Sequence, residues 1–358
     1  MKKIPLVPFR PALWAPTGHL QTYLALVGRP HGGQIPHHMR ILTLEDGDQL
    51  ILRISGPAGF ADPSALRHPL AAAAGALDHS PVCVLFHGLG GDSESPYMLR
   101  IGAKLNKKGF TVIRFNHRGC APEGFRRARQ IYHAGRTDDI DATLKDAARL
   151  FPGRPLLAIG FSLSANMLLL FLAQKGEARD HPHLRAALAV NPPMDLSSCA
   201  KLLAHPRNRL IDRYFTATLL RAARRRAAWL KRDGIAEHTA VDFHRINSLR
   251  TFDTYFTAPL AGYGSCEEYY AKNSSRPLIE HIRLPASILT AADDPIIPRE
   301  LFDDLSPSPF VHCHMESAGG HLGYLSHKKT HHGDRRWLDD YVVHWVQTQS
   351  TLLPELRT

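Results

Sequence analysis

From Pro81 onward the chain alternates short unbroken apolar runs with segments of helical period. Val82-Cys83-Val84-Leu85-Phe86, Thr111-Val112-Ile113-Arg114-Phe115 and Leu156-Leu157-Ala158-Ile159 read as strands, as do residues 186–190, 286–290 and 311–315. Between them, residues 97–107, 138–151 and 165–175 space their apolar side chains as helices do. A strand without polar alternation must be covered on both faces. That requires a mainly parallel sheet with helices on each side. Upstream, residues 39–55 alternate around Glu45-Asp46-Gly47-Asp48 and predict a hairpin. Residues 58–80, rich in Ala, Pro and Gly, predict a loop or short insertion. The strand rhythm lapses between about Asn191 and Glu280, where the chain is helical and polar. This predicts one domain spanning 1–358, with 192–280 inserted as a helical cap or lid. A last helix over 337–348 closes it.

Composition narrows the setting. The 358 residues are 44% hydrophobic, enough for a large core, and 22% charged, which excludes wholesale disorder. The net charge of +11 favours anionic substrates, lipid head groups or nucleic acid without choosing among them. Cys83, Cys120, Cys199, Cys266 and Cys313 are scattered singly, which argues against a disulfide framework or a structural zinc site. Cys83 lies in an apolar run and is expected to be buried. Lys2 and Lys3 imitate a signal peptide, but Pro5, Pro8 and Pro11 break the segment behind them. The longest strongly apolar stretch, 167–173, is far short of a membrane span. The expectation is a soluble protein of the reducing cytoplasm.

The chemistry centres on Gly160-Phe161-Ser162-Leu163-Ser164, which follows an apolar strand and opens a helix. A nucleophile elbow occupies that context, and its tight turn needs small residues two before and two after the serine. A serine hydroxyl is a weak nucleophile and needs a histidine base held by a carboxylate. In this arrangement the chain order is Ser, acid, His. Asp294, before Pro295-Ile296-Ile297-Pro298, is the preferred acid, with Asp293 the alternative. His321 sits between Gly319-Gly320 and Gly323, in a loop free to swing its imidazole over the serine. The neighbouring His312, His314, His327, His331 and His332 show no metal-ligand spacing and are expected at the surface. Two backbone amides would hold the oxyanion: Leu163, after the nucleophile, and Leu89 in His87-Gly88-Leu89-Gly90-Gly91.

These blocks, with others in order, resemble the YheT-like α/β hydrolases, the group that includes embryogenesis-associated plant proteins and animal medium-chain phospholipases. The others are His19-Leu20-Gln21-Thr22, Asp46-Gly47-Asp48, Ser95-Pro96-Tyr97 and Arg118-Gly119-Cys120. Ile131-Tyr132-His133-Ala134-Gly135, Thr137-Asp138-Asp139 and Asn166-Met167-Leu168 follow. The resemblance spans nearly the whole chain. It implies the α/β-hydrolase fold, carboxylic-ester hydrolysis, and no metal or organic cofactor. Acyl esters of short to medium chain, monoacylglycerols or phospholipids are the implied substrates. The chain departs from the family at Ser164-Ala165, where Gly-Gly is usual; a Ser164 hydroxyl would add polarity to the pocket. Tyr132 and His133 are expected to tie their loop to the site.

Within the inserted stretch, Arg221, Arg224 and Arg225 share one helical face, opposite Leu220, Ala223, Ala227 and Leu230. With Arg226, Lys231 and Arg232 they form an amphipathic basic helix. Such a helix either faces water or rests on anionic lipid, so peripheral lipid contact through Arg221–Arg232 is one expectation. No nucleic-acid-binding module is visible. Two rival readings are an acyltransferase using the same residues and a non-catalytic binding protein on the same fold.

Overall fold

The structure is a computed structural model. It describes residues 6, 8–27, 35–61, 80–121, 123–175, 181–235, 241–303, 305 and 308–352. Most of the expected 58–80 loop lies outside the described residues. Among them, β1 (His38–Thr43), β2 (Gln49–Ser55), β3 (Val82–Phe86), β4 (Thr111–Asn116), β5 (Leu156–Phe161), β6 (Leu184–Val190), β7 (Ala286–Ala291) and β8 (Val311–Glu316) form an eight-stranded sheet. Its order is β1-β2-β4-β3-β5-β6-β7-β8. β2 runs antiparallel to β1 and β4, and every pairing beyond β4 is parallel. The hairpin closes with Thr43 opposite Gln49, and Gly47 in its turn takes φ +84°.

The unbroken apolar strands are explained by cover on both faces. Side chains alternate along a strand, so β3 sends Val82, Val84 and Phe86 to one core and Cys83 and Leu85 to the other. β5 divides in the same way, Leu156 and Ala158 against Leu157, Ile159 and Phe161. The first core is closed by α3 (Thr137–Leu150) through Ile140 and Leu144, and by α4 (Leu163–Lys175) through Met167, Leu168 and Phe171. The second is closed by α2 (Pro96–Lys107) through Met98, Ile101 and Leu105, and by the last helix, α10 (Trp337–Leu352), through Trp337, Val342 and Val346. β8 differs. Val311–Glu316 is largely exposed, as an edge strand can be. α4 is apolar on all sides because residues 163–172 are all buried.

Two further groups of elements position the site. α1 (Gly18–Val27) lies ahead of the sheet in sequence. Between β6 and β7 run α5 (Leu196–Leu203), α6 (Arg209–Arg232), α7 (Leu249–Phe252), a π turn at Asp253–Thr257, α8 (Ala258–Leu260) and α9 (Cys266–Asn273).

Candidate active site

Ser162 stands at the carboxyl end of β5, the end of a parallel sheet where ligands gather. Its N–H still donates to Val190 O at 2.8 Å, as the strand ladder would. Its carbonyl already accepts from Ala165 N at 2.8 Å, as a helix would. One residue therefore makes the strand-to-helix reversal, at φ +54°. That conformation is costly for a residue with a Cβ and persists only where its surroundings impose it. The neighbouring glycines are steric necessities. A Cβ on Gly160 would lie 2.6 Å from Ser164 O, and one on Gly88 would lie 2.9 Å from Ser162 Cβ.

The structure brings Ser162, His321 and Asp294 into one hydrogen-bonded line. His321 Nδ1 is 2.8 Å from Asp294 Oδ2, and His321 Nε2 is 2.7 Å from Ser162 Oγ. A carboxylate can only accept, so Nδ1 carries the proton and Nε2 is left to accept from the serine hydroxyl. Asp294 is buried and fully engaged. Oδ1 accepts from Ile296 N at 2.8 Å and Ile297 N at 3.2 Å, while Oδ2 also accepts from Asn191 Nδ2 at 2.8 Å. Asp293 does another job, accepting from Gly320 N at 2.8 Å. Burial raises the Asp293 carboxyl above its ordinary range, against the pull of that amide.

The loop carrying His321 is held by α1, a contact that no local sequence pattern announces. Thr22 Oγ1 accepts from His321 N at 2.8 Å, and Gln21 makes hydrogen bonds in both directions with the Leu325 backbone. α1 packs so closely that a Cβ on Gly320 would lie 2.3 Å from Gly18 O. The His19-Leu20-Gln21-Thr22 block thereby acquires a physical role. Asn191, Gln21 and Thr22 are site-supporting residues that the sequence reading did not single out. Of the neighbouring histidines, His312, His314, His327 and His331 are exposed as expected. His332 departs from that expectation: it is half-buried 3.5 Å from Asp340.

Leu89 and Leu163 flank Ser162 at the cavity. Residues 88–91 form a turn closed by Gly91 N donating to Gly88 O at 3.1 Å. Gly90 supplies the positive φ, +72°, that a type II turn requires. Tyr97 Oη anchors the turn by accepting from Gly88 N at 2.8 Å. Among the described residues neither the Leu89 nor the Leu163 amide has a backbone or side-chain acceptor.

Ser164 corrects one expectation. It is fully buried and does not line the cavity, so it adds no polarity there. Its hydroxyl donates to His87 O, and it accepts from His117 Nε2 at 2.6 Å. His87 Nδ1 donates to Gly88 O at 2.9 Å, which leaves its Nε2 to accept from His117 N at 3.2 Å. Burial pushes both imidazoles below their ordinary range, so both are neutral. Tyr132 stacks on His117 at 3.9 Å between centroids and lines the cavity, the tie expected of its loop. His133 contributes by accepting from Gly135 N at 3.1 Å, while the Tyr269 hydroxyl accepts from Ala134 N at 3.0 Å. Burial takes the His133 imidazole down to about 3.

The stretch bearing Tyr132 is fixed from its other side by a buried charge cluster. Arg118 donates to Asp46 at 2.6 Å, Asp48 at 2.7 Å and Asp139 at 2.7 Å. Asp48 in turn accepts from Arg129 N and Gln130 N at 2.8 and 3.0 Å. Burial lifts Asp139 to about 6 against the opposing pull of Arg118. Three separated sequence blocks thus converge on one guanidinium at the cavity edge.

The cavity over Ser162 measures about 350 Å³, within the range of small-molecule sites. Its walls are mostly apolar, with Leu196, Leu203, Phe215, Phe252, Phe256 and Tyr269 among them. Such a site can take an acyl chain and place its carbonyl between the serine oxygen and the two open amides.

Comparison with known proteins agrees with this geometry. Residues 81–328 match the profile of the family described as alpha/beta hydrolase fold. The chain is 31% identical to Escherichia coli YheT over 332 residues, covering 92% of this chain and 90% of that protein. It is 32% identical to monoacylglycerol lipase of Saccharomyces cerevisiae, covering 75% of this chain and 60% of the lipase. It is 29% identical to phospholipase ABHD3 of Mus musculus, covering 68% of this chain and 58% of that enzyme. Among solved structures, the Pyrococcus furiosus esterase Pf2001 superposes with a TM-score of 0.51 at 14% identity, covering 100% of this chain and 99% of that one. At that identity the likeness speaks for the fold alone.

Proposed function

Because the chain belongs to the YheT-like α/β-hydrolase family, we propose that it hydrolyses carboxylic esters of short- to medium-chain acyl groups in two acyl-transfer steps. The observation that carries this reading is the hydrogen-bonded line Asp294–His321–Ser162, opening onto an apolar cavity. Ser162 Oγ attacks the ester carbonyl as His321 Nε2 takes its proton. Asp294 holds the imidazole in the required tautomer and stabilises the imidazolium that forms. The Leu89 and Leu163 amides receive the negative charge of the tetrahedral intermediate. His321 then protonates the departing alcohol, and the same sequence with water releases the acid and restores Ser162. Monoacylglycerol and phospholipid, the substrates named for two relatives, fall within this chemical class.

We read residues 192–280 as a cap over the sheet, since α5, α6, α7 and α9 supply most of the apolar cavity wall. Acyl length is then set by the cap. A series of p-nitrophenyl esters from acetate to palmitate is the direct test. kcat/KM is expected to peak at butyrate to octanoate and to fall at palmitate. Absence of turnover across the whole series would overturn the assignment. Transfer to an added alcohol in preference to water would make the protein an acyltransferase.

Ser164 acts in this scheme as a positioning residue. Its hydroxyl holds the carbonyl of His87, two residues before the Leu89 amide. Ser164→Ala frees that carbonyl and leaves His117 Nε2–H buried without an acceptor. kcat is expected to fall about tenfold to a hundredfold, and affinity for a boronic acid analogue of the tetrahedral state by the same factor, while KM changes little. A change confined to KM would refute the assignment.

A further inference from the structure

Helix α6 has a second face that the hydrolytic reading leaves unused. It runs for 24 residues, Arg209–Arg232, about 36 Å at the α-helical rise. One side is inward: Ile211, Phe215, Ala223, Trp229 and Leu230 are buried, and Thr218, Leu219 and Ala222 line the cavity. At about 100° per residue, Arg209, Leu210, Arg213, Tyr214, Arg221, Arg224, Arg225, Lys231 and Arg232 fall within one sector of about 160°. All are exposed, and the sector holds no carboxylate. Asp212, the one acid inside the helix, points away from it and accepts from Leu249 N at 2.8 Å. Arg232 pairs with Asp233 at 2.8 Å. Among the described residues, Arg209, Arg213, Arg221, Arg224, Arg225 and Lys231 have no carboxylate partner.

Two apolar side chains stand in the middle of these cations. Leu210 is 72% exposed and Tyr214 41%, one helical turn apart. A stripe built only for solubility would mix both signs of charge and keep Leu210 out of water. A stripe built for a phosphate backbone would need no leucine at its centre. Cations flanking apolar and aromatic groups on one helix face suit the boundary of a bilayer, where the cations meet anionic head groups and the apolar groups enter the acyl region. No helix of the described residues is long and apolar enough to cross a membrane, so this contact would be peripheral.

We propose that the exposed face of α6 docks on an anionic lipid surface through Arg209, Arg213, Arg221, Arg224 and Lys231, with Leu210 and Tyr214 inserted between head groups. Because the opposite side of the same helix walls the cavity, docking brings the acyl site to the lipid that supplies its substrate. The inference extends the ester-hydrolase reading, but it is measured by binding without turnover. Each can therefore fail while the other stands.

The test is co-sedimentation of the full chain with vesicles of phosphatidylcholine alone, or of phosphatidylcholine mixed with phosphatidylglycerol. Partition is expected to be at least about tenfold higher onto the mixed vesicles and to be lost in high salt. Each cation at such a surface is worth about a fivefold change in partition. Arg213→Glu, Arg221→Glu and Arg224→Glu combined should therefore lower partition by at least about 100-fold. Leu210→Ser with Tyr214→Ser should lower it severalfold while leaving the salt dependence in place. All five positions are exposed, so unchanged thermal melting is expected and confirms that each variant is folded. Equal partition of the wild type onto both vesicle types, or binding by the charge-reversed variant equal to that of wild type, would overturn the proposal. So would a DNA duplex that binds tightly while anionic vesicles do not.

Discussion

Ser162→Ala is expected to lower kcat for p-nitrophenyl butyrate by about 10⁵- to 10⁶-fold and to abolish labelling by a fluorophosphonate probe. The size of the loss follows from how the site is built. His321 Nε2 has the Ser162 hydroxyl as its hydrogen-bonding partner, so without that oxygen the base has nothing to activate. Ser164 cannot take over, because its hydroxyl is buried away from the cavity between His87 and His117. The residual rate would come from the oxyanion amides and from binding alone. Alanine at φ +54° is no more strained than serine, so the fold and the cavity should persist. Melting temperature and binding of a non-hydrolysable acyl analogue check this. Persistent probe labelling of a folded Ser162→Ala protein would remove Ser162 from the nucleophile's role.

Asp294→Asn carries the second-largest expected effect, about 10⁴-fold in kcat. An amide in this place turns one acceptor atom into a donor. If the amide nitrogen faces His321, the imidazole is driven to the wrong tautomer and Nε2 can no longer accept from Ser162. If it faces the other way, it confronts the Ile296 and Ile297 N–H groups and leaves buried donors unpaired. That second arrangement costs about 1–3 kcal/mol in stability. The variant should therefore lose activity and some stability together. Asp293→Asn is the internal control. Its Oδ1 accepts one amide, from Gly320, and an asparagine oxygen can do the same. It should retain activity within about tenfold, given a modest displacement of the His321 loop. A larger loss from Asp293→Asn than from Asp294→Asn would reverse the two roles.

Much of this protein is legible from short-range pattern. The β5 run, the glycine two residues before Ser162 and the glycines around His321 are local signals with local causes. Each reports a strand buried on both faces or a turn too tight for a side chain. Boundaries shifted only slightly: β5 extends to Phe161, α4 begins at Leu163 and α10 runs on to Leu352. The basic helix was likewise visible from its period. Ala223 and Leu230 are buried as expected, while Leu220 and Ala227 are half-buried at its border.

By itself the sequence determined the alternating architecture, the strand-to-helix turn that presents Ser162, and the order Ser162, Asp294, His321. Those features depend on hydrophobic period and backbone sterics, which act over a few residues. Only the tertiary structure decided what holds them in place. Thr22 meets His321 N across 299 residues, Asn191 meets Asp294 across 103, and Ser164 meets His87 across 77. It also decided that Asp294 rather than Asp293 faces the imidazole, and that the Ser164 hydroxyl turns away from the cavity. A hydrogen bond between distant segments leaves no period in either one. It exists because two surfaces, each shaped by its own local rules, are pressed together by the burial of the same core.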